Sequence, residues 1–136
     1  MQPQWIQTDH HKATYKAYDY VPGAIASGQF AFISGQLGLE EDGSVNGDPK
    51  VQVSRAFANL GEILKAIPAK PRDVIDITTY HVGLREHLSL VSAEKRKFFE
   101  GWNPAWTAIG ITELGIEGTI LEVRAVVLLP SAVASS

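Results

Sequence analysis

The sequence predicts an α+β fold: a single domain built on one mixed sheet of about six strands, with two helices on one face. Three observations predict it. A chain of 136 residues is one domain by length and can build a core without disulfide or metal staples. Two stretches with apolar residues at helical spacing are interleaved with stretches that alternate with period two. The last strand is largely apolar on both faces, so both sides of the sheet call for cover.

Residues 1–20 read as an N-terminal arm or edge strand, with Trp5, Tyr15, Tyr18 and Tyr20 among His and Lys, and Thr14 to Tyr18 as the strand candidate. His10-His11 offers two metal ligands but no third nearby, so a solvated pair is the simpler reading. Ala24–Ala26 and Phe30–Leu37, joined by Ser27-Gly28-Gln29, read as a hairpin. Glu40-Glu41-Asp42-Gly43 is a second turn, with Gly43 free to take positive φ. Asp48 caps the first helix and Pro49 opens it at a position that needs no N–H. Val53, Ala56, Phe57, Leu60, Ile63, Leu64 and Ile67 share one face of that helix, which Pro68 and Pro71 end.

A strand over Asp73–Val82 sends Ile75, Ile77, Thr79 and His81 one way, and Val74, Asp76, Thr78 and Tyr80 the other. That makes His81 a core histidine and Tyr80 a candidate for a binding cleft. The second helix runs from about Arg85 to Glu100, with Leu84, Leu88, Val91, Lys95 and Phe98 as its inner stripe. Lys95 is expected to snorkel out from the margin of that stripe, and Gly101 stops the helix. Strands at about Ala105–Thr112 and Thr119–Leu129 flank the loop Leu114–Gly118. In the final strand Leu121, Val123, Ala125, Val127 and Leu129 share one face; Ile120, Glu122, Arg124, Val126 and Leu128 share the other. Two helices cannot cover both sides of the sheet, so other subunits are expected to cover the second, as a cyclic homo-oligomer. Residues 131–136 read as a C-terminal tail, which leaves 21–130 as the domain.

Composition narrows the function. The chain carries 12 Lys+Arg against 15 Asp+Glu, with no basic block, which disfavours nucleic acid as a partner. With no cysteine, thiolate metal sites, disulfides and a Cys nucleophile are excluded. No stretch resembles a signal peptide or a membrane span, so a cytoplasmic protein without membrane attachment is expected. No cofactor and no metal are expected.

Ile33-Ser34-Gly35-Gln36, the Asp48-Pro49 helix with Phe57-Ala58-Asn59-Leu60, Asp73-Val74-Ile75-Asp76, Phe98-Phe99, Pro104-Ala105 and Leu121-Glu122-Val123-Arg124-Ala125 occur at consistent spacing from about Val21 to Pro130. This set resembles the Rid family of reactive-intermediate (enamine/imine) deaminases, also called YjgF-like. The resemblance implies a chorismate-mutase-like fold and a homotrimer with a small-molecule cleft between each pair of subunits. It also implies an Arg on the strand after the second helix, forked onto a substrate carboxylate, and a final-strand Glu that assists attack on the imine carbon.

This chain departs from the pattern at both places. Trp106 stands at the position of the carboxylate-binding Arg, Ala108 at that of a Cys, and Arg124 at that of the assisting Glu. Ser92 replaces a helix Asn, and Val21, with Tyr20 beside it, replaces a Tyr. The segments Trp106–Ala108 and Thr78–His81 are closer to the YjgH-like branch, which lacks the Arg.

Trp106 is read either as a stacking wall for a ligand or as inter-subunit packing. Arg124 is read either as a relocated anion anchor or as one half of an ion pair with Glu122 or Glu113 across subunits. Ser34, Gly35, Tyr20, Tyr80 and Ser92 complete the candidate cleft, and backbone N–H groups of Thr107 and Ala108 are available to an oxyanion. No residue is singled out as catalytic. Two functions stay open: hydrolysis of enamine, imine or related C–N metabolites, and non-catalytic binding of a small aromatic or carboxylate metabolite. Nucleic-acid cleavage, which the resemblance also brings in, finds no support in the charge.

Overall fold

A computed structural model of the chain describes residues 2–130; the tail expected at 131–136 lies outside the described residues. The elements are β1 (Gln4–Ile6), α1 (Lys12–Ala17), β2 (Gly23–Ile25), β3 (Phe30–Leu37), α2 (Pro49–Ala66), β4 (Val74–His81), α3 (Leu84–Phe99), β5 (Ala105–Gly110) and β6 (Leu121–Leu128). The main sheet has the order β3-β6-β4-β5 and is mixed: β6 runs antiparallel to β3 and β4, while β5 runs parallel to β4.

One sheet of about six strands is therefore not what forms. β1 and β2 pair with each other in a separate two-stranded ribbon. The expected hairpin between residues 24–26 and β3 is absent because β2 takes β1 as its partner, and Trp5 of β1 packs edge-on against Trp102, 5.0 Å between centroids. Thr14 to Tyr18, the strand candidate, lies mostly in the helix α1.

Both main helices pack on one face of the sheet. Asp48 accepts the N–H of Lys50 at 2.9 Å, and Pro49 occupies the first turn, as a capped start requires. Val53, Phe57, Leu60 and Leu64 of α2 and Val91 and Phe99 of α3 close on Ile33, Ile77, Val123, Ala125 and Val127 of the sheet. Two polar side chains of α2 tie it to the loops around the sheet. Gln52 donates to the carbonyls of Asn46 and Gly118 and accepts the Ile120 N–H. Asn59 donates to the carbonyls of Leu37 and Leu39, which fixes the far end of β3.

Among the described residues, neither main helix packs on the other face of the sheet. Phe32 is 70% exposed there and Ile109 37%. Among the described residues, no helix is long and apolar enough to cross a membrane.

Candidate functional site

Strand register sorts the candidate residues onto the two faces. Along β3 and β6, Ile33 pairs with Ala125 and Gln36 with Val123, so Ser34 and Gly35 together oppose the single residue Arg124. That two-against-one count is a β-bulge, which bends the strand and re-aims what lies beside it. On its other side Arg124 pairs with Thr78, and Thr78 with Thr107. The open face thus carries a row of Ser34–Gly35, Arg124, Thr78 and Thr107. Leu37, Glu122, Tyr80 and Ile109 form the row on one side of it, and Phe32, Val126, Asp76 and Ala105 the row on the other.

Gly35 has a steric reason to be glycine. A Cβ there would stand 2.7 Å from Glu122 Oε1 and closer still to its carboxyl carbon, because that side chain lies across the bulge. Arg124 is half-buried, and among the described residues no carboxylate comes within 4.0 Å of its guanidinium. Its field is still felt. Burial pushes the Asp76 carboxyl up from its ordinary value, and Arg124 pulls it part of the way back.

Trp106 lies on the opposite, helix-covered face. Its Nε1 donates to Thr79 Oγ1 at 2.9 Å, and that oxygen stands 2.7 Å from Nε2 of the buried His81. A bridge between Val21 and Ala105 lays the N-terminal segment beside β5, which brings the Tyr20 ring edge-on to Trp106 at 6.0 Å. Tyr15 stacks edge-on behind Tyr20 at 4.9 Å. Burial among these rings pushes the Tyr20 hydroxyl above its ordinary pKa. Ala108 shares this face, opposite Thr79, and Ser92 stands half-buried one turn before Lys95 on α3.

Lys95 is the residue the sequence reading misplaced. It does not snorkel from a margin; it is only 1% exposed. Its Nζ sits 4.7 Å over the Trp106 ring and donates to the backbone carbonyls of Tyr18, at 3.4 Å, and Asp19. Arg96, the next residue, donates from Nε and Nη2 to Asp19 Oδ2 at 2.9 and 2.7 Å. Burial lowers the Lys95 amine to about 8, with Asp19 pulling up and Arg96 adding to the fall. The signal available in the sequence was its place on the inner stripe, four residues after Val91.

The structure therefore gathers Arg124, Ser34, Gly35, Tyr80 and Thr107 on the open face, and Trp106, Ala108 and Tyr20 on the covered one, with Ser92 on the helix beside it. Trp106 and Arg124 do not meet within one chain. Thr107 and Ala108 are adjacent on a regular edge strand, where successive N–H groups point opposite ways, so between them they offer one outward donor rather than two. His10 and His11 stack at 3.9 Å, and among the described residues no group of three or more His, Cys, Asp or Glu is placed to hold a metal.

A mixed four-stranded sheet with two helices on one face defines an α+β domain. Comparison with known proteins identifies which. The family model described as Endoribonuclease L-PSP matches residues 10–129, and the chain belongs to this Rid, or YjgF-like, family. It is 35% identical over 108 residues to the RutC family protein YjgH of Escherichia coli K12, covering 79% of this chain and 81% of that one. It is 24% identical over 108 residues to a 2-iminobutanoate/2-iminopropanoate deaminase of Dermatophagoides farinae, covering 78% and 83%. The crystal structure of YyfB from Yersinia pestis, a Rid-family protein described as of unknown function, superposes with a TM-score of 0.85 at 26% identity, over 95% of this chain and all of that one.

Proposed function

We propose that the chain assembles as a homotrimer through the open face of its sheet, and that a cleft at each subunit boundary hydrolyses small enamines, imines or related C–N metabolites. One observation carries this reading. Arg124, a half-buried cation with no ion pair within 4.0 Å among the described residues, stands beside the Ser34–Gly35 bulge in the middle of a face that the helices leave uncovered. A cation so placed is costly unless something anionic reaches it. Phe32, Val126 and Ile109 on the same face would bury against another copy, and the guanidinium fork suits a planar carboxylate. Family membership and the similarity to an imine deaminase support the chemistry. Because Trp106 occupies the other sheet face, a ligand touching both would take Trp106 from one subunit and Arg124 from the next.

A second reading is favoured by the same residues. With Arg124 at the final-strand position of the assisting carboxylate, the cleft holds a small aromatic or carboxylate metabolite without turning it over. Ammonia release separates the two. Imines generated in situ from amino acids by an amino-acid oxidase should lose ammonia faster with the protein than in buffer alone. Tight binding of the corresponding oxo acids with no acceleration would establish the binding protein and end the enzyme.

A further inference from the structure

A cavity of about 1000 Å³ opens at the end of the sheet where β4 begins and β6 ends. None of its lining residues belongs to the candidate cleft. Arg124 lies four strand positions before Leu128 on the cavity rim, about 13 Å away along β6. The walls are of two kinds. Trp102, Pro68 and Leu129 form an apolar floor. Lys65, in the last turn of α2, and Lys70 and Arg72, in the loop that leads into β4, supply three cations. Among the described residues, Asp73 is the one carboxylate in the lining. The cavity therefore carries an excess of two positive charges, in a chain whose formal net charge is -3.

Floor and cations are held by separate means. The Trp102 indole donates from Nε1 to the Val74 carbonyl at 2.8 Å and packs edge-on against Trp5, so the ring is fixed from two sides. The turn Pro71–Asp73 is closed by a reciprocal pair of bonds: Asp73 Oδ2 accepts the Lys70 N–H at 2.8 Å, and the Asp73 N–H donates to the Lys70 carbonyl at 2.9 Å. This sets the backbone from which Lys70 and Arg72 project, and it occupies the one carboxylate near them. Neither Lys70 nor Arg72 has a carboxylate within 4.0 Å among the described residues. Lys65 pairs with Glu62 at 3.3 Å, an exposed contact within one helix that is weak and easily exchanged.

The bland alternative is three solvated side chains at the rim of a helix. It accounts for each cation alone but not for their gathering around a fixed indole and a cavity. The size of the charge excess chooses the ligand. A single carboxylate would leave one positive charge unmatched, whereas a phosphate monoester carries about −1.5 to −2 near pH 7 and matches the excess. A guanidinium fork beside a lysine point charge suits phosphate oxygens. An indole offers a planar ring a large apolar surface. The volume stands at the upper end of the range of small-molecule sites, about 300–1000 Å³, so a molecule of nucleotide size fits.

We propose that this cavity binds a small phosphate monoester with a flat apolar body, an aryl phosphate or a nucleoside monophosphate, its phosphate on Lys70 and Arg72 with Lys65 nearby and its ring against Trp102. The site is separate from the cleft and does not depend on the C–N chemistry proposed for it.

The test is calorimetry on the intact protein at low salt. The probes are phenyl phosphate and adenosine monophosphate, with inorganic phosphate, phenol and adenosine as their fragments. The expected result is saturable binding of at least one ester, about tenfold or more tighter than inorganic phosphate and than its own uncharged fragment, and weakening as salt rises. The tighter ester tells an aryl phosphate from a nucleotide. Lys70→Ala combined with Arg72→Ala removes two exposed side chains and leaves the bonds of the turn in place; it should weaken binding about tenfold or more with circular dichroism unchanged. Esters that bind no better than inorganic phosphate, or not at all, overturn the proposal without any appeal to variants. Binding that survives the double substitution and is lost in Arg124→Ala overturns it by placing the phosphate in the open-face cleft. A short single-stranded oligonucleotide that competes with the esters and binds more tightly than either also overturns it, in favour of a nucleic-acid surface.

Discussion

The burial of Lys95 makes stability depend on pH in a direction that can be worked out beforehand. Its ordinary pKa of 10.5 falls to about 8 in the folded chain. Between those values the unfolded chain holds a proton that the folded chain has released, so stability rises with pH through this window. A separation of 2.5 at about 1.4 kcal/mol per pH unit amounts to about 3 kcal/mol in full, of which about 2 kcal/mol is gained between pH 7 and pH 9.5. The assay is urea unfolding at fixed protein concentration across that range, for wild type and Lys95→Met. Methionine fills similar space but carries no proton, and the other titrating groups are shared, including Tyr20, whose raised pKa places its change above pH 10. The stability difference, wild type minus variant, should therefore climb by about 2 kcal/mol. A difference that stays flat, or falls with pH, would show that the amine is solvated in the folded protein and would refute the packing described around Trp106.

Further outcomes follow from other sites. Burial holds the His81 imidazole down to about 4, from 6.5, so the folded state refuses a proton the unfolded state accepts; stability should fall as pH drops from 6.5 to 4, and His81→Gln should flatten that acid limb in thermal melts. Gly38→Ala should destabilise by about 2 kcal/mol or more, because its new methyl would press on the Gln52 carbonyl of α2, whereas Gly47→Ala, with open space around it, should stay within about 0.5 kcal/mol in the same denaturant titration. Asp48→Ala should cost about 1 kcal/mol through loss of the cap on α2. Arg124→Ala should weaken binding of small carboxylates at least about tenfold by calorimetry, in keeping with loss of a charge-assisted fork; unchanged affinity for every acid tried would remove the anchor.

Much of the scaffold is legible in the sequence because it is written in long periodic runs. The alternation of Leu121 through Val127 and the apolar stripe from Val53 to Leu64 each repeat often enough to fix a face; both are buried as read except Ile63, which stands 37% exposed at the edge of its stripe. β1 and β2 are three residues each, too short to carry a period, and their pairing depends on a Trp5–Trp102 contact between distant segments. The bulge at Ser34–Gly35 changes no residue type and shows only in the register. Lys95 was visible as a stripe position, but its burial depends on carbonyls of Tyr18 and Asp19, more than 70 residues earlier in the chain. The sequence placed Trp106 and Arg124 in one cleft because both depart from one family pattern; within a chain β4 lies between their strands and they stand on opposite faces of the sheet.

The central claim joins assembly to chemistry, and one measurement reaches both: ammonia release from in-situ imines by wild type and by Phe32→Asp, each checked for mass by light scattering. Phe32 is exposed in the single chain, so the substitution should cost the isolated fold little while placing a charge in the proposed interface. The account predicts a trimeric wild type that releases ammonia above the buffer rate, and a variant that loses assembly and activity together. A monomeric wild type, or a monomeric variant that keeps full activity, would contradict it.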